Sequence, residues 1–211
     1  MCMRILIRYI YSMLLNIGDR LHHFKILVWL WFLNVEHGQK VRIYGKLYLR
    51  GHGKVKIGDD FVFTSGDAIN PISRNIRGIL YTMTPNSMIE IGDRVGISSA
   101  CIWAKTLVRI GNDVNIGGDC IIIDNDAHPV DFRKRRRSYE QEKGLDRYIE
   151  EDIPSIPVYI DDDVWIGARC QILKGVHIGA RSIIGAGSVV TSSIPSDVVA
   201  GGNPCRVIRK L

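Results

Sequence analysis

The chain has 211 residues, a formal net charge of +6 and 46% hydrophobic content, enough for one domain plus an appendage. Five cysteines, odd in number and without a C-x-x-C pair, exclude a disulfide framework and point to a reduced, cytosolic compartment. Ten basic residues against two acids give residues 1–56 a charge of +8, so the remainder carries −2; no nucleic-acid module accompanies that basicity, and nucleic acid is not expected as a partner.

Residues 1–35 form a separate block. Ile5, Leu6, Tyr9, Met13 and Leu14 recur at helical spacing, as do Leu21, Phe24, Leu27, Val28, Trp31 and Phe32. Residues 24–35 are almost wholly apolar, yet they include Lys25 and run for about a dozen residues, against roughly 20 for a membrane span. Residues 1–17 show no small-residue cleavage site after a clean apolar run, so no cleavable signal is expected. Two readings stay open. The block packs as helices on the end of the following domain or on a neighbouring subunit, or it lies as an amphipathic anchor on an anionic membrane, with Trp29 and Trp31 at the interface. We divide the chain into a helical segment over 1–40 and a β domain over 41–211.

From Val41 the chain turns β-rich, with short β-branched runs at 41–43, 47–49 and 55–57 separated by glycine. Residues 65–77 are polar and contain proline, which predicts a loop. A period of six then sets in, through Ile91 and Ile97 and again Ile110, Ile116 and Ile122, with a one-residue slip near Lys105. Residues 124–157 break it; a loop that long in a compact domain is usually functional. Its basic run from Arg133 to Arg137 is either a solvated face or an anion-facing one. After Tyr159 the period is unbroken: Ile160, Ile166, Ile172, Ile178, Ile184 and Val190, each followed four residues later by Val164, Cys170, Val176, Ser182, Ser188 or Ile194. Cys101, Cys120 and Cys170 fall at that second, inward position and are expected as small core residues. The last segment, 201–211, is read as a C-terminal tail.

Six matches neither the 3.6 of a helix nor the 2 of a lone strand. It suits a chain that runs straight, turns at a Gly or Asx corner and runs straight again, stacking one aliphatic per side along a prism. The fold class is therefore mainly β: a parallel β-solenoid whose coils bury a core by stacking on one another, with an N-terminal helical segment and a long excursion loop.

Three stretches carry a family resemblance: Val164-Trp165-Ile166-Gly167, Ile184-Gly185-Ala186-Gly187-Ser188-Val189-Val190-Thr191, and Gly202-Asn203-Pro204-Cys205-Arg206-Val207-Ile208-Arg209. Ala127-His128-Pro129-Val130-Asp131 stands upstream of them. Over residues 88–211 the chain resembles the hexapeptide-repeat acyltransferases, most closely the galactoside/maltose O-acetyltransferases and, in its acceptor side, the capsular or surface-polysaccharide acetyltransferases. The resemblance implies a left-handed parallel β-helix, a homotrimer, and acetyl-CoA as co-substrate in a cleft between adjacent prisms.

On this resemblance His128 is the general base that takes a proton from an acceptor hydroxyl, a task suited to imidazole. Counting sixes from Ile110 also lands on His128, so a core-facing corner stays open. Asp126 or Asp131, or a backbone carbonyl, orients the ring. No protein nucleophile is needed. Trp165 falls on the outward face, as a wall of the CoA cleft, a subunit contact, or both. Gly167, Ala168, Gly185 and Ala186 beside it let a pantetheine arm approach the backbone, or simply satisfy the corners. Thr191, Arg206 and Arg209 match positions at the CoA end, where Arg suits phosphate; Ser192 departs from the Lys often found there. Ser98 and Asn112 stand where galactoside enzymes have Asn and Asp, and Asp67 and Asn70 lie in a loop without counterpart. Trp103, at the slip in the repeat, either stacks on a sugar ring or serves the core or the trimer; with it these five are the candidate acceptor residues. His22, His23, His37, His52 and His177 form no zinc-like spacing, and no metal is expected.

The resulting expectation is acetyl transfer from acetyl-CoA to a sugar hydroxyl of a surface-polysaccharide precursor. N-acetylation of an amino sugar and a non-catalytic trimeric scaffold are the alternatives. The expected location is cytoplasmic, with peripheral contact at the inner membrane face through residues 1–35 as an option.

Overall fold

The computed structural model describes residues 24–66, 77–135 and 153–211. Asp67 and Asn70, the rest of the N-terminal block and part of the basic run lie outside these residues.

Three parallel sheets form the sides of a prism. The first face stacks Glu36–His37, Lys54–Ile57, Met88–Ile91, Leu107–Ile110, Val158–Ile160 and His177–Ile178. The second stacks Arg42–Tyr44, Val62–Thr64, Gly96–Ser98, Asn115–Ile116, Trp165–Ile166, Ile183–Ile184 and Val198–Gly202. The third stacks Leu47–Gly51, Gly78–Thr82, Cys101–Ala104, Ile121–Ile123, Gln171–Ile172 and Val189–Val190. Strand pairing begins at Glu36, four residues before the expected boundary at 40. In the C-terminal tail, Cys205–Lys210 turns back antiparallel on Val198–Gly202 at the end of the second face.

The period of six is the reason for this shape. Ile160, Ile166, Ile172, Ile178, Ile184 and Val190 are all buried, as are Val164, Cys170, Val176, Ser182, Ser188 and Ile194. The slip near Lys105 resolves into two opposite irregularities. Ile97 and Ile102 are register equivalents of Ile116 and Ile122, so the corner at Ser98–Ala100 is one residue short. The next corner, between Ile102 and Ile110, carries two extra residues around Lys105. The short corner corrects one expectation: Ala100, not Cys101, takes the inward position. Cys101 points outward on the third face beside Ile121, half-buried, and burial pushes its thiol up.

The corner between the first and second faces is held by a ladder of side chains. Asp59 Oδ1 accepts from Gln39 N (2.6 Å), Asp93 Oδ1 from Asp59 N (2.8 Å), Asn112 Oδ1 from Asp93 N (2.9 Å) and Asp162 Oδ1 from Asn112 N (2.7 Å). Each coil thus receives its acceptor from the next one. The glycines before these residues are small for the same reason. A Cβ on Gly111 would sit 2.3 Å from Asp162 Oδ1, and one on Gly38 2.1 Å from Asp59 Oδ1. The following corner residues, Asp60, Arg94, Asp113 and Asp163, have φ of 54–60°, a left-handed geometry that Asp tolerates better than most.

Residues 24–32 are helical and close the N-terminal end of the prism. Ile26 and Leu30, one turn apart, are buried on the first coil; Trp29 packs partly against the same core.

Candidate active site

The excursion loop is anchored at one buried carboxylate. Asp124 is 0% exposed. Its Oδ1 accepts from Lys105 N (2.7 Å) and Asn125 Nδ2 (3.0 Å), and its Oδ2 from Thr106 N (2.7 Å) and Leu107 N (2.8 Å). The two-residue insertion around Lys105 is what presents those three backbone donors. The Asp124 carbonyl in turn accepts from Ile156 N (2.8 Å) and Ser155 Oγ (2.9 Å), and Lys105 Nζ donates to Ile153 O. Both feet of the loop are therefore tied to one insertion. So buried a polar group is tolerated because four donors satisfy its two oxygens.

From this anchor the chain reaches His128 in four residues. Asn125 Oδ1 accepts from Ala127 N (2.8 Å), and Ala127 is turned to φ 60°. That left-handed geometry costs alanine about 1–2 kcal/mol, and such strain gathers at functional sites. His128 N then donates to Asp126 O at 2.6 Å. His128 is exposed and Pro129 buried beside it, so the count of sixes that would put His128 at a core corner fails: the period ends at Asp124. Of the two acids considered for the ring, Asp126 receives Lys174 Nζ at 2.5 Å and Asp131 Oδ1 accepts from Arg133 N at 2.8 Å. Arg135 donates to the carbonyls of Pro129 and Val130, and Arg133 lies over Phe132. Part of the basic run thus stiffens the turn that carries His128.

The second face presents another feature. Trp165 is 55% exposed there, in one column with Gly96 and Asn115. Because Gly96 has no side chain, the column opens into a groove of about 260 Å³, lined by Thr64, Gly96, Ser98, Asn115, Gly117 and Trp165 among others. Ser98 Oγ and Thr64 Oγ1 share a hydrogen bond of 3.0 Å on its floor. The structure therefore brings Ser98 and Trp165 together. Thr64, Gly96 and Asn115 were missed in the sequence, although Asn115 stands directly before Ile116 as Trp165 does before Ile166.

Gly167, Ala168, Gly185 and Ala186 form the adjoining corner. A Cβ on Gly167 would meet Ala186 N at 2.6 Å, so coil stacking alone demands a glycine there; at Gly185 the nearest atom is 3.5 Å away, which leaves room. Inside this corner Cys120 and Cys170 donate their thiols to the carbonyls of Gly167 (3.1 Å) and Gly185 (3.2 Å). Arg206 and Arg209 project from the antiparallel strand, with Ile208 as an extra residue between them in the register. Each guanidinium donates to a main-chain carbonyl, Cys205 O and Lys210 O, and no carboxylate among the described residues pairs with either. Thr191 is exposed just after Val189–Val190.

Two acceptor candidates do not join this site. Asn112 is a rung of the corner ladder, its side-chain oxygen held by Asp93 N. Trp103 lies on the third face against Tyr81, ring centroids 5.3 Å apart, and not on the face of Ser98 and Trp165. His128 lies beyond the third-face strand Ile121–Ile123, on the loop whose Asp126 holds Lys174, whereas Trp165 stands on the second face. The first face is self-neutralised: Glu36, Lys56, Glu90, Arg109, Tyr159 and His177 form one outward column, with Lys56–Glu36 at 3.1 Å and Arg109–Glu90 at 2.6 Å.

The bacterial transferase hexapeptide family (six repeats) matches residues 157–192. An acetyltransferase-like protein of Saccharomyces cerevisiae is 35% identical over 177 residues, 78% of this chain and 83% of the relative. The galactoside O-acetyltransferase of Lactococcus lactis is 43% identical over 108 residues, 50% of this chain but 44% of its own length. A hexapeptide-repeat acetyltransferase structure from Vibrio cholerae is 25% identical, with a TM-score of 0.52, covering 83% of this chain and 73% of that one. An N-acyltransferase from Bacillus cereus, 17% identical and covering 86% of each chain, shares the fold with a TM-score of 0.63. The fold is a left-handed parallel β-helix.

Proposed function

This chain belongs to the hexapeptide-repeat acetyltransferases, and on that footing we propose that it moves an acetyl group from acetyl-CoA to a hydroxyl of a sugar in a surface-polysaccharide precursor. The observation that carries the reading is His128, exposed on a turn anchored by Asp124, Asn125 and Lys174 rather than buried at a corner. His128 takes the proton of the acceptor hydroxyl as its oxygen attacks the thioester carbonyl. A tetrahedral intermediate forms; its collapse breaks the C–S bond, and the imidazolium returns the proton to the departing thiolate. A backbone N–H would steady the oxyanion.

The groove beside Trp165 and the guanidinium groups of Arg206 and Arg209, which pair with no carboxylate among the described residues, suit an extended acyl-thioester arm and its phosphates. Because His128 lies on the loop after a third-face strand and Trp165 on the second face, a cleft shared between copies of a cytoplasmic homotrimer is the arrangement we favour. Ser98 and Thr64 are the acceptor-side hydroxyls of that groove.

His128→Ala tests the proposal. Turnover on the best of a panel of nucleotide sugars and oligosaccharides should fall roughly 10²–10⁴-fold, with CoA affinity within about threefold of wild type. Unchanged turnover would remove His128 as the base.

A further inference from the structure

The N-terminal helix buries one stripe and exposes another. Phe24, Val28 and Trp31 follow one another at i, i+4 and i+7, and Phe32 lies beside them. All four face solvent, Trp31 at 77% and Phe32 at 79%. Ile26 and Leu30 already fill the opposite side, so this second apolar stripe adds nothing to the cap.

The charge around the stripe is predominantly positive. Residues 24–60 contain seven basic side chains, Lys25 and Lys46 among them, against three acids; Glu36 pairs with Lys56 at 3.1 Å and Asp60 with Lys40 at 3.7 Å. Between the helix and the first coil lies a cavity of about 380 Å³, lined by Lys25, Ile26, Trp29, Lys46, Leu47 and Tyr48 among others. No carboxylate among the described residues pairs with Lys25 or Lys46. Two ammonium groups over aromatic and aliphatic walls, next to an exposed aromatic stripe, match a phosphate head group joined to an acyl chain. No helix among the described residues is long and apolar enough to cross a membrane.

We propose that the N-terminal helix docks the protein on an anionic lipid bilayer, with Phe24, Val28, Trp31 and Phe32 in the acyl boundary and Lys25 and Lys46 on a lipid phosphate. In the sequence, residues 1–23 bring Arg4, Arg8 and Arg20 against Asp19 alone, the same excess of positive charge. Each basic side chain near an anionic surface strengthens attachment several-fold, and salt weakens it over about a Debye length. Aromatic side chains at the boundary supply the remainder.

The test is co-sedimentation of the full-length chain with phosphatidylglycerol-containing vesicles and with pure phosphatidylcholine vesicles. Binding should favour the anionic vesicles and fall as salt is added. Lys25→Glu with Lys46→Glu should lower the partition coefficient tenfold or more. Trp31→Ser with Phe32→Ser should abolish it at low salt, and both pairs should keep the wild-type melting temperature because the altered side chains are exposed. Equal binding to both vesicle types would overturn the phosphate contact. Failure of the full-length chain to sediment at low salt would overturn the docking altogether, and a smaller oligomer for Trp31→Ser with Phe32→Ser would assign the stripe to another copy of the chain. None of these readings depends on whether the protein transfers acetyl groups.

Discussion

Replacing Asp124 by Asn is the sharpest perturbation of the loop that carries His128. The amide keeps one oxygen and puts an NH₂ in place of the other. Either orientation turns that NH₂ toward two donors, Lys105 N and Asn125 Nδ2 or Thr106 N and Leu107 N. Each buried donor left unsatisfied costs about 1–3 kcal/mol, so the pair costs roughly 2–6 kcal/mol, a large part of a typical total of 5–15 kcal/mol. For a chain of this size each kcal/mol shifts the melting temperature by about 2–4 °C, which gives a fall of roughly 4–24 °C. Differential scanning calorimetry reads the shift. Acetyl transfer at a temperature where the variant stays folded reads the second consequence, a loss of turnover at least tenfold as the His128 turn loosens. A melting temperature within about 2 °C of wild type would refute the anchoring argument, and full turnover in a destabilised variant would separate Asp124 from His128.

Trp165→Ala should raise the KM for acetyl-CoA or acceptor while leaving the melting temperature nearly unchanged, since the side chain is 55% exposed; monomers in sedimentation velocity would assign it to subunit packing instead. Gly111→Ala should destabilise by more than about 2 kcal/mol, because its Cβ would lie 2.3 Å from Asp162 Oδ1 and 2.8 Å from Asp162 N. Gly187→Ala, with φ 74° but no atom within 4 Å, should cost only about 1–2 kcal/mol of backbone strain. Equal losses in urea unfolding would mean that corner glycines serve conformation alone.

The period made the prism legible, because one buried aliphatic per side leaves an unmistakable spacing. It could not reveal where a corner drops or gains a residue, and Cys101 was misplaced for that reason: counting from Ile97 assumes a corner of regular length. Asp124 left no periodic trace, since it lies where the repeat stops and its donors come from an insertion nineteen residues back or less. The corner ladder did have a visible sign, the pairs Gly58-Asp59, Gly92-Asp93 and Gly111-Asn112. Reading glycine only as a flexible corner hid that it makes room for the next coil's side chain. On the candidate site, Ser98 and Trp165 converge on one groove, but Asn112 was chosen by comparison with relatives and Trp103 for its ring at a slip in the repeat, neither by face, and the stacking geometry separates them.

The ladder also gives the chain a direction in time. Every rung is an acceptor supplied by residues synthesised later, so a nascent coil emerges with its corner N–H still unsatisfied. Between most coils the wait is 19–34 residues, but Asn112 must wait for Asp162, 50 residues on and beyond the excursion. At a translation rate of about 5–20 residues per second that interval lasts roughly 3–10 s. During it the N-terminal coils stand with an open edge, and the growing chain is exposed to premature pairing with its neighbours on the same messenger.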